Sequence, residues 1–231
     1  MKRALLLILA ALALLLTACG STAATAAPAE APATAAPETP APAPETPAPT
    51  PDPADYVTID GSTITVKDDG TGESSDGDGM KKDVIITTRN IGYTGQAGPF
   101  TYEIQSIQLA KINVTDEAAA SMIGVEAGKD ATLIGIQVSI ENTSADDMKW
   151  HPNMSKIVTS DKEQVSSHMF MSDSVGGDYL GNVVKTGQIY FICKESNADN
   201  LTGFTWRIDP PTDAKYNRVC EEIKIDFNFA K

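Results

Sequence analysis

The twelve residues from Ala131 to Asn142 (Ala-Thr-Leu-Ile-Gly-Ile-Gln-Val-Ser-Ile-Glu-Asn) restrict the fold of this chain more than any other stretch. Ile134, Ile136, Val138 and Ile140 fall on one parity, and Gly135, Gln137, Ser139 and Glu141 on the other. A strand turns successive side chains to opposite faces, so this alternation predicts a half-buried strand with an aliphatic inner face. The run Asn142 to Asp147 then ends it with turn formers. A strand this long is expected to organise several shorter ones around it.

The flanking sequence supplies them. Val57 and Ile59 alternate, Asp60-Gly61-Ser62 turns the chain, and Ile64 and Val66 alternate again, which is a hairpin signature. A strand is expected over 83–90, a Gly-rich connection over 92–99, and a second long strand over 100–114. In that second strand Phe100, Tyr102 and Ile104 share one parity while Ile107 and Leu109 share the other, which predicts a β-bulge near Gln105-Ser106. Thr115-Asp116-Glu117 reads as an N-cap and an acidic first turn, so a short helix should follow. Shorter strands are expected near Met148–Trp150, Ser155–Thr159 and Phe204–Trp206, with a hairpin turn at 160–163 and a tight turn at 185–187 leading into 188–193. The last strand, 219–229, turns Ile223, Ile225, Phe227 and Phe229 inward. Roughly nine short strands with frequent turn signals and almost no helix predict an all-β fold, a β-sandwich with one short helix in a loop.

The first 55 residues have a different composition. Met1-Lys2-Arg3 is followed by thirteen apolar residues, Ala4 to Leu16, and then by Thr17-Ala18-Cys19. A positive start, a short apolar stretch and small residues before a cut describe a secretory signal over 1–18, and thirteen residues are too few to cross a bilayer of ~30 Å. Leu16-Thr17-Ala18-Cys19 resembles the lipobox of bacterial lipoproteins. That resemblance implies cleavage before Cys19, a diacylglyceryl group on its sulfur, and anchoring to the bacterial cell membrane through buried methylenes at ~0.8 kcal/mol each. Residues 20–55 hold ten of the fourteen prolines, and Pro-Glu-Thr-Pro-Ala-Pro occurs at 37–42 and again at 44–49. Such a segment has nothing to build a core from and favours polyproline II, so 19–55 is expected to be a disordered linker. At ~3.1 Å per residue it would reach on the order of 110 Å when extended. The folded domain is therefore expected over 56–231.

Charge sets limits on partners. The chain carries 18 Lys plus Arg against 31 Asp plus Glu, a formal net charge of -13, and loss of Lys2 and Arg3 with the signal would make it more negative. That balance argues against nucleic acid and against a basic patch for anionic lipid headgroups.

Three pieces then line up. The long strand ends in Glu141-Asn142-Thr143-Ser144, a strand and turn follow in Lys156-Ile157-Val158-Thr159-Ser160-Asp161-Lys162-Glu163, and Val184-Lys185-Thr186-Gly187-Gln188 leads into Ile189-Tyr190-Phe191. This order resembles the telokin-like, immunoglobulin-like domain of bacterial secreted lipoproteins, a family of unknown function. In that family an aliphatic strand ends in an Asn-Thr pair, and Asp-Gly-type and Lys-Pro-Gly-type turns follow. Asp161-Lys162 and Lys185-Thr186-Gly187 depart from those turns. The resemblance covers about 99–229, with 56–95 as an N-terminal addition, and it implies an immunoglobulin-like β-sandwich on an exported lipoprotein. It carries over no catalytic residues.

Candidate chemistry is sparse. Cys193 and Cys220 both lie in strand-like segments of an exported domain, where a disulfide persists, so a bridge is a candidate and two separate thiols are the alternative. The acidic stretch 68–78 invites a calcium reading through Asp76 and Asp78, but no Glu stands at the closing position of an EF-hand loop, and an exposed hairpin loop is the competing reading. His151 and His168 lack the close spacing with cysteine that a structural zinc site needs, and no nucleophile elbow is present. Neither a metal nor a cofactor is expected. His168, Met169, Phe170 and Met171, with Tyr179, lie in an irregular stretch between 165 and 182, where Met and Phe make an adaptable binding surface. The expectation is a membrane-anchored, extracytoplasmic lipoprotein, facing the cell wall or exterior, that displays a non-catalytic module for a protein or cell-envelope component. The alternative is a structural or protective spacer without a discrete ligand, and a hydrolytic enzyme ranks last.

Overall fold

The computed structural model describes residues 56–65, 74–77 and 79–229. The signal segment, Cys19, the linker and Asp78 lie outside them.

Strand β6 (Asp130–Asn142) is the organising strand, flanked on one side by β5 (Phe100–Val114) and on the other by β11 (Val184–Cys193). Its inward residues Ile134, Ile136, Val138 and Ile140 are buried, as the alternation requires. The first half of β6 departs from the half-buried expectation, because Ala131 and Leu133 are buried too. Their face is covered by a second apolar cluster with Val84, Ala110, Ile112 and Ile192. Helix α1 (Glu117–Ile123) closes that cluster through Ile123, together with Val125 and Met171. Asp116 caps the helix by accepting from the Ala119 amide at 2.7 Å, and Gly124 ends it at φ 73°.

The five-stranded sheet runs β11-β6-β5-β4-β3, with β3 at Ser74–Gly77 and β4 at Met80–Ala97. Strand β4 continues through the segment expected to be a connection. Gly92 takes a positive φ at a break in register between Arg89 and Tyr93, and pairing with β5 then resumes as far as Ala97–Phe100. Gly95 lies under the Tyr102 ring, where a Cβ would come within 2.2 Å of it. The β5 bulge lies between Ile104 and Ser106 and keeps both parities, Phe100 to Ile104 and Ile107 to Leu109, in one core. The 185–187 turn expected from the sequence is instead part of β11, paired residue by residue with β6.

The six-stranded sheet runs β2-β1-β14-β12-β8-β9. Strands β1 (Tyr56–Ile59) and β2 (Ser62–Thr65) are joined by Asp60 and Gly61, both at positive φ as a two-residue hairpin demands. Asp60 also accepts from the Asp226 amide at 2.7 Å and from the Tyr93 hydroxyl at 2.6 Å, tying the hairpin to both sheets. The others are β8 (Lys156–Thr159), β9 (Gln164–Ser166), β12 (Gly203–Ile208) and β14 (Ile223–Phe229), which starts later than the expected 219. Between the two sheets lie Phe100, Phe191, Trp206 and Phe227, all essentially inaccessible. The fold is a β-sandwich. A small third sheet, β10-β7-β13, made of Gly177–Tyr179, Met148–Trp150 and Thr212–Asp213, packs Trp150 and Tyr179 against Phe100.

The candidate disulfide is not formed. Cys193 and Cys220 are free thiols, the first buried and the second half-buried. Cys193 pairs with Thr132 at one end of β6, whereas Cys220 lies within electrostatic reach of Tyr102, which pairs with Ile140. Eight residues of strand separate the two levels, about 26 Å at ~3.3 Å per residue. A bridge needs Cα atoms only ~4.4–6.8 Å apart.

Candidate functional site

The stretch 167–173 lies along the outer edge of β11 and satisfies the hydrogen-bonding groups that an edge strand leaves open. The His168 amide donates to the Tyr190 carbonyl at 2.7 Å, and the Asp173 amide to the Gln188 carbonyl at 2.8 Å. In return Ser172 Oγ accepts from the Tyr190 amide at 2.9 Å and Asp173 Oδ2 from the Gln188 amide at 2.7 Å. Between these anchors the Met171 and Ser172 amides both point to the His168 carbonyl, at 3.2 and 2.9 Å, closing a single helix-like turn. The turn sends its side chains in different directions. Met171 packs into the second apolar cluster, while Met169 is 66% and Phe170 89% exposed. His168 stands half-buried beside Phe170, ring centroids 6.2 Å apart, and its Nδ1 is buried without a partner. It shares a hollow of about 350 Å³ with Ile123, Gln164, Ile192 and Lys194.

Of the five residues expected to form a binding surface, Met169 and Phe170 are exposed together with His168 half-buried beside them, and Met171 turns into the second cluster. Tyr179 does not join them. It is fully buried, stands edge-on to Phe100 at 5.0 Å, and donates its hydroxyl to the Val175 carbonyl. Burial raises its pKa, consistent with a core phenol. The alternation in β10 turns this side chain inward, which an irregular sequence gave no means to foresee. Asp76 is exposed in β3, paired across the strands with Lys81, and among the described residues no three His, Cys, Asp or Glu side chains gather as a metal site would require. His151 is exposed at the start of a short 3-10 turn, Pro152–Met154.

Two features were not visible in the sequence. On the outer face of the five-stranded sheet, past the second cluster, a hollow of about 600 Å³ is lined by polar side chains that include Thr94, Thr101, Glu103, Ser139 and Glu141. On the outer face of the small sheet Lys149 stands between Asp178 and Thr212, and Thr212 in turn bridges to Arg218. Tyr216, at φ 65° and 71% exposed, lies over Lys149, whose ammonium is 4.4 Å from the ring centroid and donates to its hydroxyl at 2.9 Å.

No protein-family model matches the chain. It is 20% identical over 146 residues to the SPbeta prophage-derived uncharacterized lipoprotein YonS of Bacillus subtilis, a match that spans 62% of this chain and 64% of that protein's length. Among solved structures, a functionally unknown protein from Listeria monocytogenes EGD-e superposes with a TM-score of 0.50 at 14% identity, covering 64% of this chain and 86% of that one. An uncharacterized β-sandwich protein from Clostridium difficile 630 gives a TM-score of 0.26 at 12% identity, over 67% and 89% of the two chains. The chain is thus weakly similar in sequence to an uncharacterized lipoprotein and similar in fold to a Listeria protein of unknown function. Among the described residues no helix is long and apolar enough to cross a membrane.

Proposed function

We propose that this protein is an extracytoplasmic lipoprotein, anchored to the membrane by lipid on Cys19, whose telokin-like, immunoglobulin-like β-sandwich is a non-catalytic binding module for a protein or cell-envelope component. The anchor rests on Leu16-Thr17-Ala18-Cys19 and is supported by the likeness to a Bacillus lipoprotein. The binding reading rests on one observation: Met169 and Phe170 are exposed on a turn pinned at both ends to β11. An aromatic side chain held in water on a rigid support gains free energy only when something covers it. The linker would carry the module away from the membrane towards the wall.

The test is cosedimentation of the soluble chain, from residue 20 onward, with envelope fragments that retain their surface proteins, and with purified sacculi, over a salt series. Saturable pelleting that survives moderate salt and is lost in the Met169→Ser/Phe170→Ser double variant is expected. A chain that stays in the supernatant with both preparations, or pelleting that the double variant leaves intact, refutes this site.

A further inference from the structure

The outer face of the small sheet carries a row of polar and charged side chains beside an exposed aromatic one. Cross-strand pairing sets Asp178, Lys149, Thr212 and Arg218 side by side in one row, all on the face opposite the buried Met148 and Trp150. The row reaches the edge of the sheet at Arg218, whose guanidinium has no hydrogen-bond or ion-pair partner among the described residues. Its donors form a planar fork suited to two oxygens of one anion.

The loop beside the row is built to stay in place. Asp213 accepts from the Lys215 amide at 2.8 Å, the Asn217 amide at 2.9 Å and the Asn217 side chain at 2.8 Å. That carboxylate is thereby turned into its own loop, and the Asp178 carboxylate lies 3.5 Å from Lys149. With Asp213 fixed, the loop holds Tyr216 at a positive φ, a conformation that bulky side chains avoid and that structures retain where the surroundings impose it. One ring face of Tyr216 rests on the Lys149 ammonium. The ring is otherwise largely open to solvent, in a loop that also carries exposed Lys215 and Arg218.

We propose that this patch is a recognition site for a phosphodiester carried on a polyol or sugar, the repeating unit of a phosphate-rich envelope polymer. The proposal rests on the extracytoplasmic reading for its source of ligand, but not on the Phe170 turn. Arg218 and Lys215 take the phosphate oxygens, the Thr212 hydroxyl donates a further hydrogen bond, and the free face of Tyr216 packs on the C–H groups of the polyol or sugar. The formal net charge of -13 sets the footprint. A long polyanion is repelled by the remaining surface, so the site engages one or two repeat units rather than wrapping a backbone.

The test is calorimetric titration of the soluble chain, from residue 20 onward, with poly(glycerol phosphate), with uncharged dextran and a single-stranded oligonucleotide as comparisons. Saturable binding to poly(glycerol phosphate) that falls steeply with salt is expected, with little or none to the other two. Arg218→Glu and Lys215→Glu should each weaken it roughly ten-fold. Tyr216→Gly, which removes the ring and relieves the backbone, should weaken it while leaving the thermal transition unchanged or raised. No binding, binding that Arg218→Glu leaves unchanged, or equal binding to the oligonucleotide overturns the proposal. Polymer binding that persists in the Met169→Ser/Phe170→Ser variant separates this site from the turn. If that variant also pellets with sacculi like the wild type, the turn fails and this site stands.

Discussion

Glu163 offers the sharpest test of how the two sheets are held in register around the exposed turn. It follows Lys162, which takes φ 69° in the β8–β9 hairpin, and its carboxylate reaches across to the chain leaving β11. Oε1 accepts from the Lys194 amide at 2.8 Å, and Oε2 from the Glu195 and Ser196 amides at 3.2 and 2.7 Å. Ser196 is buried and continues the network, its carbonyl accepting from the Thr132 hydroxyl at 2.6 Å and its hydroxyl 2.9 Å from that of Thr159. Hydrogen bonds to a charged acceptor contribute ~1.5–3 kcal/mol each. Lys194 and Glu195 are exposed, so water replaces most of what their amides lose. The Ser196 amide has no such substitute, and Glu163→Ala should therefore cost about 2–3 kcal/mol. For a domain of this size that is a fall in Tm of roughly 4–10 °C. Glu163→Gln is the discriminating variant. It keeps the length and one acceptor oxygen, which can still take the Ser196 amide and leave the NH₂ against the exposed Lys194 amide, so it should lose clearly less than alanine. Urea unfolding of both variants, with hydrogen exchange at the Ser196 amide, checks this. A Glu163→Gln protein as destabilised as Glu163→Ala would show that one acceptor for the Ser196 amide does not suffice, and would refute the argument.

The cysteines and Asp213 give two further tests. Burial pushes both thiols up, with a smaller push from Glu163 and then Asp161 at Cys193 and from Glu221 at Cys220. Native protein at mildly alkaline pH should therefore react slowly with a maleimide at Cys220 and not at Cys193, and denatured protein should show two free thiols. A reductant-sensitive bridge between them, seen by intact mass, would contradict the strand spacing. At Asp213 the Asn217 side chain first, then the Asn217 amide, hold the carboxyl below its ordinary range. Because the folded pKa lies below the unfolded one, the stabilisation is present above about pH 3.9 and is lost as pH falls through the folded value. The Tyr216 and Asn217 amide resonances should titrate with a midpoint below that of an ordinary aspartate, and Asp213→Asn should abolish the titration. A midpoint at or above about 3.9 would mean that the loop is not held as described.

Local rules made much of the fold legible. The Asp60-Gly61 hairpin, the Asp116 cap, the β5 bulge and the parity of β6 each depend on a few adjacent residues, and each was readable in the sequence. The second half of strand β4, beyond the expected 83–90, was not, because its glycines read as loop until a partner is known. Gly92 serves the register break and Gly95 receives the Tyr102 ring, and only pairing with β5 gives either role. The candidate site divides in the same way. Met169 and Phe170 stand out because large apolar residues in an irregular stretch are unusual. Tyr179 belongs to the core because β10 pairs with β7, a contact about thirty residues away in sequence. The two cysteines share strand-like surroundings, and their parity says nothing about which end of a sheet each occupies. The row from Asp178 to Arg218 is assembled from three separate segments, so no sequence window contains it.

The two exposed features also lie at different levels of the sandwich, with a consequence for binding. The turn leaves β11 beside Phe191, which pairs with Ile134, whereas the small sheet packs on Phe100, which pairs with Asn142. Eight residues of β6 separate these levels, about 26 Å at ~3.3 Å per residue. Sites that far apart with no shared partner act independently, and their free energies add within ~0.5 kcal/mol. If one envelope component covers both, the combined variant Phe170→Ser/Arg218→Glu should lose the sum of the two single losses. If a protein takes the turn and a phosphate polymer takes the row, each single variant should abolish binding to its own partner and leave the other untouched. Measuring both variants and their combination against surface-protein extract and against poly(glycerol phosphate) separates these cases. A loss at one site that weakens the other's separate partner would mean that the sandwich couples them, against the rigid core that Phe100, Phe191 and Trp206 build between them.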